Sequence, residues 1–178
     1  MALSTFQGPV RSLNGFYSTG PGCVLNVANG TDTLTLDVAT YGGRIIRTND
    51  ATLVITLPSL NATADPVTGG PGSDPNSPNN MGASFTFLVE TAATTWKIIT
   101  AASQYLVGSL LVIDTDTTDT VKGFAANGTS IRSVNLDGST TGGIVGSYVT
   151  VTALNSTMWT VSGVVIGSGT VATPFAAS

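Results

Sequence analysis

The chain has 178 residues, of which only 9% are charged against 42% hydrophobic, with a net charge of −4. An ordinary globular domain carries about 25% charge. Yet neither a membrane-spanning helix (no apolar run approaches the roughly 20 residues needed) nor a disordered chain (Val, Ile and aromatics are too frequent) fits this composition. Six basic residues scattered singly give no footprint for nucleic acid.

Residues 1 to 22 come first. They contain Gly8-Pro9 and Gly20-Pro21-Gly22, with isolated apolar residues at Leu3, Phe6, Val10, Leu13 and Phe16. This spacing suits an extended arm that docks its apolar side chains on protein. The segment lacks a basic region followed by a long apolar run, so no ordinary secretion signal is expected. Residues 23 to 178 read as a β domain. Its only cysteine, Cys23, excludes a disulfide within the chain and reads as a small buried hydrophobe.

Period-2 alternation then recurs along the chain, while helical periodicity is nearly absent. Strands are expected at Thr33–Asp37, Ile45–Arg47, Thr52–Leu57, Ser84–Glu90, Trp96–Thr100, Leu106–Ile113 and Val121–Ala125, then at Ser130–Leu136, Tyr148–Ala153, Trp159–Ser162 and Val164–Ile166. Asn29-Gly30, Asn127-Gly128 and Asp137-Gly138 punctuate them as tight turns that tolerate positive φ. Short β-branched strands between such turns imply an all-β fold, an antiparallel β-sandwich or a barrel-like variant, with jelly-roll and immunoglobulin-like forms open. Residues 58 to 82 interrupt the pattern with five prolines, Pro58, Pro66, Pro71, Pro75 and Pro78. A loop of that length is uncommon in a compact domain unless it binds something or moves.

Two segments resemble each other. Residues 82–98 and 146–161 each run from a glycine through an alternating strand and a polar turn to a second strand led by Trp96 or Trp159. A genuine duplication would place the two indoles equivalently in facing sheets.

The residues of catalysis are scarce. With no histidine, the usual general base and metal ligand is missing, and so are Ser-His-Asp and Cys-His arrangements. No nucleophile elbow or phosphate loop occurs. Nine Asp and one Glu leave few pairs for a glycosidase, and most stand in turns. Asp114, Asp116 and Asp119 could ligate Ca²⁺, but Asp119 stands where a calcium loop wants glycine, and a solvated turn explains all three. No enzyme activity, cofactor or metal is expected. Gly142-Gly143 and Gly167-Ser168-Gly169 precede no helix and read as turns rather than nucleotide loops.

The opening from Leu3 to Phe16 resembles small structural proteins of tailed bacteriophages. So do Leu53-Val-Ile-Thr-Leu-Pro58, Ser84-Phe-Thr-Phe-Leu-Val89, Trp96-Lys-Ile98, Gly146-Ser-Tyr-Val149, Trp159-Thr-Val-Ser-Gly163 and Gly169-Thr-Val-Ala-Thr-Pro-Phe175. The pattern is similar to that of capsid decoration (cement) and head-fibre proteins. That resemblance implies a virion protein made in the host cytoplasm. It would bind the major capsid protein at the outer surface, often as a trimer, and stabilise the shell by bridging subunits. The alternative is a fibre, spike or receptor-binding module, with Tyr17, Tyr41 and Tyr105 as a possible sugar platform.

Overall fold

In the computed structural model, residues 24–62, 80–116 and 120–177 are described. The expected arm at 1–22, with Leu3, Phe6, Val10, Leu13 and Phe16, lies outside them, as do Cys23, Asp119 and most of the proline-rich loop. The strands are β1 (Val24–Val27), β2 (Thr33–Thr35), β3 (Ile45–Thr48), β4 (Val54–Thr56), β5 (Ser84–Val89), β6 (Trp96–Ile99), β7 (Tyr105–Asp114), β8 (Val121–Asn127), β9 (Ser133–Leu136), β10 (Tyr148–Ala153), β11 (Met158–Gly167) and β12 (Phe175–Ala176). A single helical turn, α1 (Val38–Tyr41), is capped by Asp37, whose carboxylate accepts from the Thr40 N–H at 2.7 Å.

The strands form a seven-stranded sheet in the order β1-β3-β5-β10-β11-β7-β8 and a five-stranded sheet in the order β12-β9-β6-β4-β2. Both are mixed. The expectation of antiparallel sheets is thereby corrected: β1–β3, β3–β5, β2–β4, β4–β6 and β7–β11 are parallel pairs. The cause is the route of the chain. From β1 to β6 it changes sheet at every strand, so the next strand in a given sheet arrives in the same direction as the last. The Asn29-Gly30 turn, with Gly30 at φ 81°, thus carries the chain from one sheet to the other instead of closing a hairpin. In-sheet hairpins occur only later, at β7–β8 and β10–β11 among the described residues.

The inward rows of the two sheets share one hydrophobic cluster. Phe85, Phe87 and Val89 of β5, Val149 and Val151 of β10, and Trp159 and Val161 of β11 meet Ile55, Trp96, Ile98, Val134 and Leu136 of the smaller sheet. Burying a large apolar side chain stabilises by about 1.5–3 kcal/mol each, so these rows dominate the fold. The two resembling segments part after their first strand. β5 and β10 are antiparallel neighbours, with Phe87 opposite Val149. The strand led by Trp96 then crosses to the smaller sheet, whereas the one led by Trp159 turns back beside β10.

Backbone demands explain several glycines. A Cβ at Gly108 would come 2.1 Å from the Val161 carbonyl oxygen, and its φ of 132° disfavours side chains anyway. The stem of the proline-rich loop is closed by Asn80. Its Oδ1 accepts from Asn61 N at 2.8 Å and its Nδ2 donates to the Ser59 carbonyl at 2.8 Å.

Candidate interaction surfaces

Most polar side chains with several bonds hold turns. Asp50, only 2% exposed, accepts from the N–H groups of Thr31, Asp32 and Thr52 and from the Thr52 hydroxyl. The Thr52 N–H leads in holding its carboxyl below the usual carboxylate value; desolvation opposes it, and the Asp32, Thr52 hydroxyl and Thr31 bonds assist. At Asp137, desolvation pulls upward but bonds from Thr140, Thr141 and Ser139 outweigh it, so its pKa is also lowered. Asn127 and Asn155 likewise accept from backbone N–H groups two to four residues on.

Asp114, the last residue of β7, is 3% exposed and accepts from Asp116 N at 3.0 Å and the Thr120 hydroxyl at 3.3 Å, the geometry of a side-chain-mimicked turn. No cluster of three metal-ligating side chains occurs among the described residues. Gly142 and Gly143 lie in a turn bridged from Ser139, at φ 84° and 107°. Tyr41, on α1, packs against the core and Tyr105 opens β7, while Tyr17 lies outside the described residues. No helix among the described residues is long and apolar enough to cross a membrane.

Two outward faces remain. On the seven-stranded sheet, side chains opposite the core follow the strand register in rows. One row runs Asn26, Arg47, Leu88, Tyr148, Val164, Leu111, Gly123. Beside it lie Ile166, Ile113 and Val121. Tyr148, Leu111 and Val121 are 43%, 46% and 60% exposed. Arg47 is the one charged strand residue on this face among those described, and it is paired with Glu90. The flanking row Thr86, Thr150, Ser162, Ser109 is hydroxylic, with Thr86 and Thr150 hydrogen-bonded at 3.0 Å. The sequence carried a sign of this face. Leu110-Leu111-Val112-Ile113 and Val164-Val165-Ile166 are continuous apolar runs, which supply side chains to both sides of a strand.

On the five-stranded sheet, a strip follows β6 and β9. A cavity of about 340 Å³ is bounded by Thr94, Trp96, Lys97, Asn135, Asp137 and Thr141 among others. A second, of about 170 Å³, is lined by Lys97, Ile99, Thr100 and Arg132. Lys97 lies opposite Asn135 and belongs to both.

No known protein family matches the chain, and neither a curated protein nor a solved structure is similar to it.

Proposed function

We propose that the protein is a structural component of a bacteriophage virion that binds the outer capsid surface and stabilises the shell by bridging major capsid subunits, acting as a trimer. The observation that supports this reading is the apolar row Leu88–Tyr148–Val164–Leu111 on a sheet face whose single strand charge among the described residues is already paired. Scattered apolar residues are ordinary on a surface, but a contiguous row beside hydroxyls suits contact with protein. The two sheets, taken as a β-sandwich, would form a rigid body behind that face. The segment carrying Leu3, Phe6, Val10, Leu13 and Phe16 would add a reaching arm, ordered on binding at an entropic cost. Purified protein is expected to co-sediment with shells assembled from the major capsid protein, and Leu111→Asp to stay in the supernatant. Wild-type protein that fails to pellet with shells would overturn the reading.

A second reading, a fibre or spike module, is favoured by the route from β1 to β6. The chain there winds as a two-sheet coil, with β1 and β2 as the outermost strands at the same end. Such a coil extends readily by adding turns. Antibody labelling of intact virions in electron micrographs separates the two readings: decoration on the shell supports the first, and labelling confined to the tail or fibres supports the second.

A further inference from the structure

The two sheets end in four edge strands, and three of these are short among the described residues: β1 has four residues, β2 three and β12 two. The fourth, β8, has seven and pairs with β7 alone among the described strands. Proteins ordinarily blunt an exposed edge with brevity, proline, bulges or charge. β8 holds no proline and carries one charge, Lys122. Its register is unbroken, from Val121 opposite Ile113 to Asn127 opposite Val107.

The ladder fixes which backbone groups of β8 stand open. Asp114 N donates to the Thr120 carbonyl and Gly128 N to the Leu106 carbonyl, each at 2.8 Å. Hydrogen-bonded pairs recur at every second residue of an antiparallel ladder, so Lys122, Phe124 and Ala126 turn their N–H and C=O groups to β7. Val121, Gly123, Ala125 and Asn127 turn theirs away, and no backbone group of the described residues pairs with them. Gly123 is exposed, and without a side chain its exposure is that of the backbone itself.

We propose that β8 pairs antiparallel with β8 of a second copy, joining two seven-stranded sheets edge to edge about a two-fold axis. One register uses the whole strand. Val121 then lies opposite Asn127 of the second copy, and Gly123 opposite Ala125, as hydrogen-bonded pairs. The axis passes between the two Phe124 side chains, which form a close, non-hydrogen-bonded pair. Phe124 already packs against the core from that side of the sheet, so pairing extends one core toward the next. Charge selects the same register. Lys122 faces Ala126 of the second copy, whereas a register centred on Lys122 sets two cations against each other. The Lys122 ammonium donates to the Val171 carbonyl of its own chain at 3.5 Å. The incoming strand therefore needs an aromatic at its centre and no carboxylate, and β8 itself meets both conditions. A two-fold contact consumes both edges, so association stops at paired copies. A strand edge is smaller than the interface of a permanent dimer; the contact is weak in free solution and gains where copies are held side by side. The inference goes beyond the shell reading, whose contact uses the face of the sheet and not its edge.

The test follows the full chain by sedimentation and by backbone amide exchange between roughly 1 μM and 1 mM. The mass is expected to double across that range. The amides of Val121, Gly123 and Ala125 are expected to exchange about tenfold slower in the paired form, with those of Lys122 and Phe124 protected throughout. Ala125→Pro removes one open N–H at an edge position, where proline is tolerated, and is expected to prevent the doubling. Tyr148→Asp, on the sheet face, is expected to leave it intact. If Ala125→Pro melts well below wild type, the wild-type exchange pattern decides alone. Doubling without added protection at Val121, Gly123 and Ala125 overturns the proposal, and so does a mass that stays constant to the highest concentration. Protection that appears only when shells are added gives the edge to a strand of the shell and also overturns it.

Discussion

Phe87 of β5 meets Trp96 of β6 edge to face, with ring centroids 6.0 Å apart and planes inclined at 74°, and the contact joins the two sheets. Two positions earlier on β5, Phe85 lies 5.9 Å from Trp159 within the larger sheet. One strand thus anchors both indoles, one across the core and one along it. Phe87→Ala is expected to lower stability by about 3–5 kcal/mol through cavity formation. A double-mutant cycle of Phe87→Leu with Trp96→Phe, followed by urea denaturation, is expected to return a coupling of about 0.5–1.5 kcal/mol. Additive single effects would show that the contact contributes area alone.

Asp50 ties the β1–β2 turn to the β3–β4 turn through its carboxylate. Its folded pKa lies below the ordinary 3.8, so its contribution is present above that value and is lost as the pH falls through the lower folded one. Asp50→Asn is expected to cost about 1–3 kcal/mol at neutral pH, because an amide places donors against N–H donors. The variant should also show a shallower loss of stability below pH 4 than wild type. Denaturation curves of equal slope between pH 3 and pH 7 would remove Asp50 as a source of acid sensitivity.

Gly108 sits where β7 runs beside β11, and a methyl group there collides with the Val161 carbonyl. Gly108→Ala is expected to destabilise by about 3 kcal/mol or more, combining strain at positive φ with a displaced strand. Thermal melts followed by circular dichroism check this. Gly30→Ala serves as a comparison, since it also has positive φ but no atom within 4 Å of the added carbon, and should cost less.

The outward apolar row should be separable from the core. Leu111→Asp and Tyr148→Asp alter exposed side chains and are expected to change stability by no more than about 0.5 kcal/mol. Both are expected to abolish shell binding. Unaltered binding by both variants, with melting temperatures unchanged, would remove this face from the interaction.

The exposed ion pair offers a contrast. Arg47 and Glu90 retain side-chain exposures of 43% and 36%. Glu90→Gln is therefore expected to cost no more than about 1 kcal/mol, less still in high salt, when followed by urea denaturation at two ionic strengths.

The strands were legible wherever alternation was clean. Ser84–Glu90 and Tyr148–Ala153 appear as β5 and β10 within a residue, because one buried and one half-exposed side makes the period visible. Two candidates, Trp159–Ser162 and Val164–Ile166, are a single strand, since Gly163 adopts φ 155° and stays in register opposite Val149. β1 went unseen because it is four residues long, and only Val27 is buried. Strand direction was not legible, because a turn dipeptide fixes local φ but not which sheet receives the next strand. The strip on the smaller sheet was invisible for a related reason: Lys97 and Asn135 come from segments more than thirty residues apart and meet only through the β6–β9 register.

β11 sits between β10 and β7 in the larger sheet, although of the described strands only β12 is made after it. Its parallel partner β7 is synthesised some fifty residues earlier, with Met158 opposite Tyr105. β7 and β10 therefore cannot be joined in that sheet until β11 has left the ribosome. Until then β7 and β10 each present an open side that invites pairing between nascent chains. Pairing across so wide a sequence separation slows folding, so yield in a heterologous host should depend on chaperone supply and growth temperature as well as on the final stability of the product.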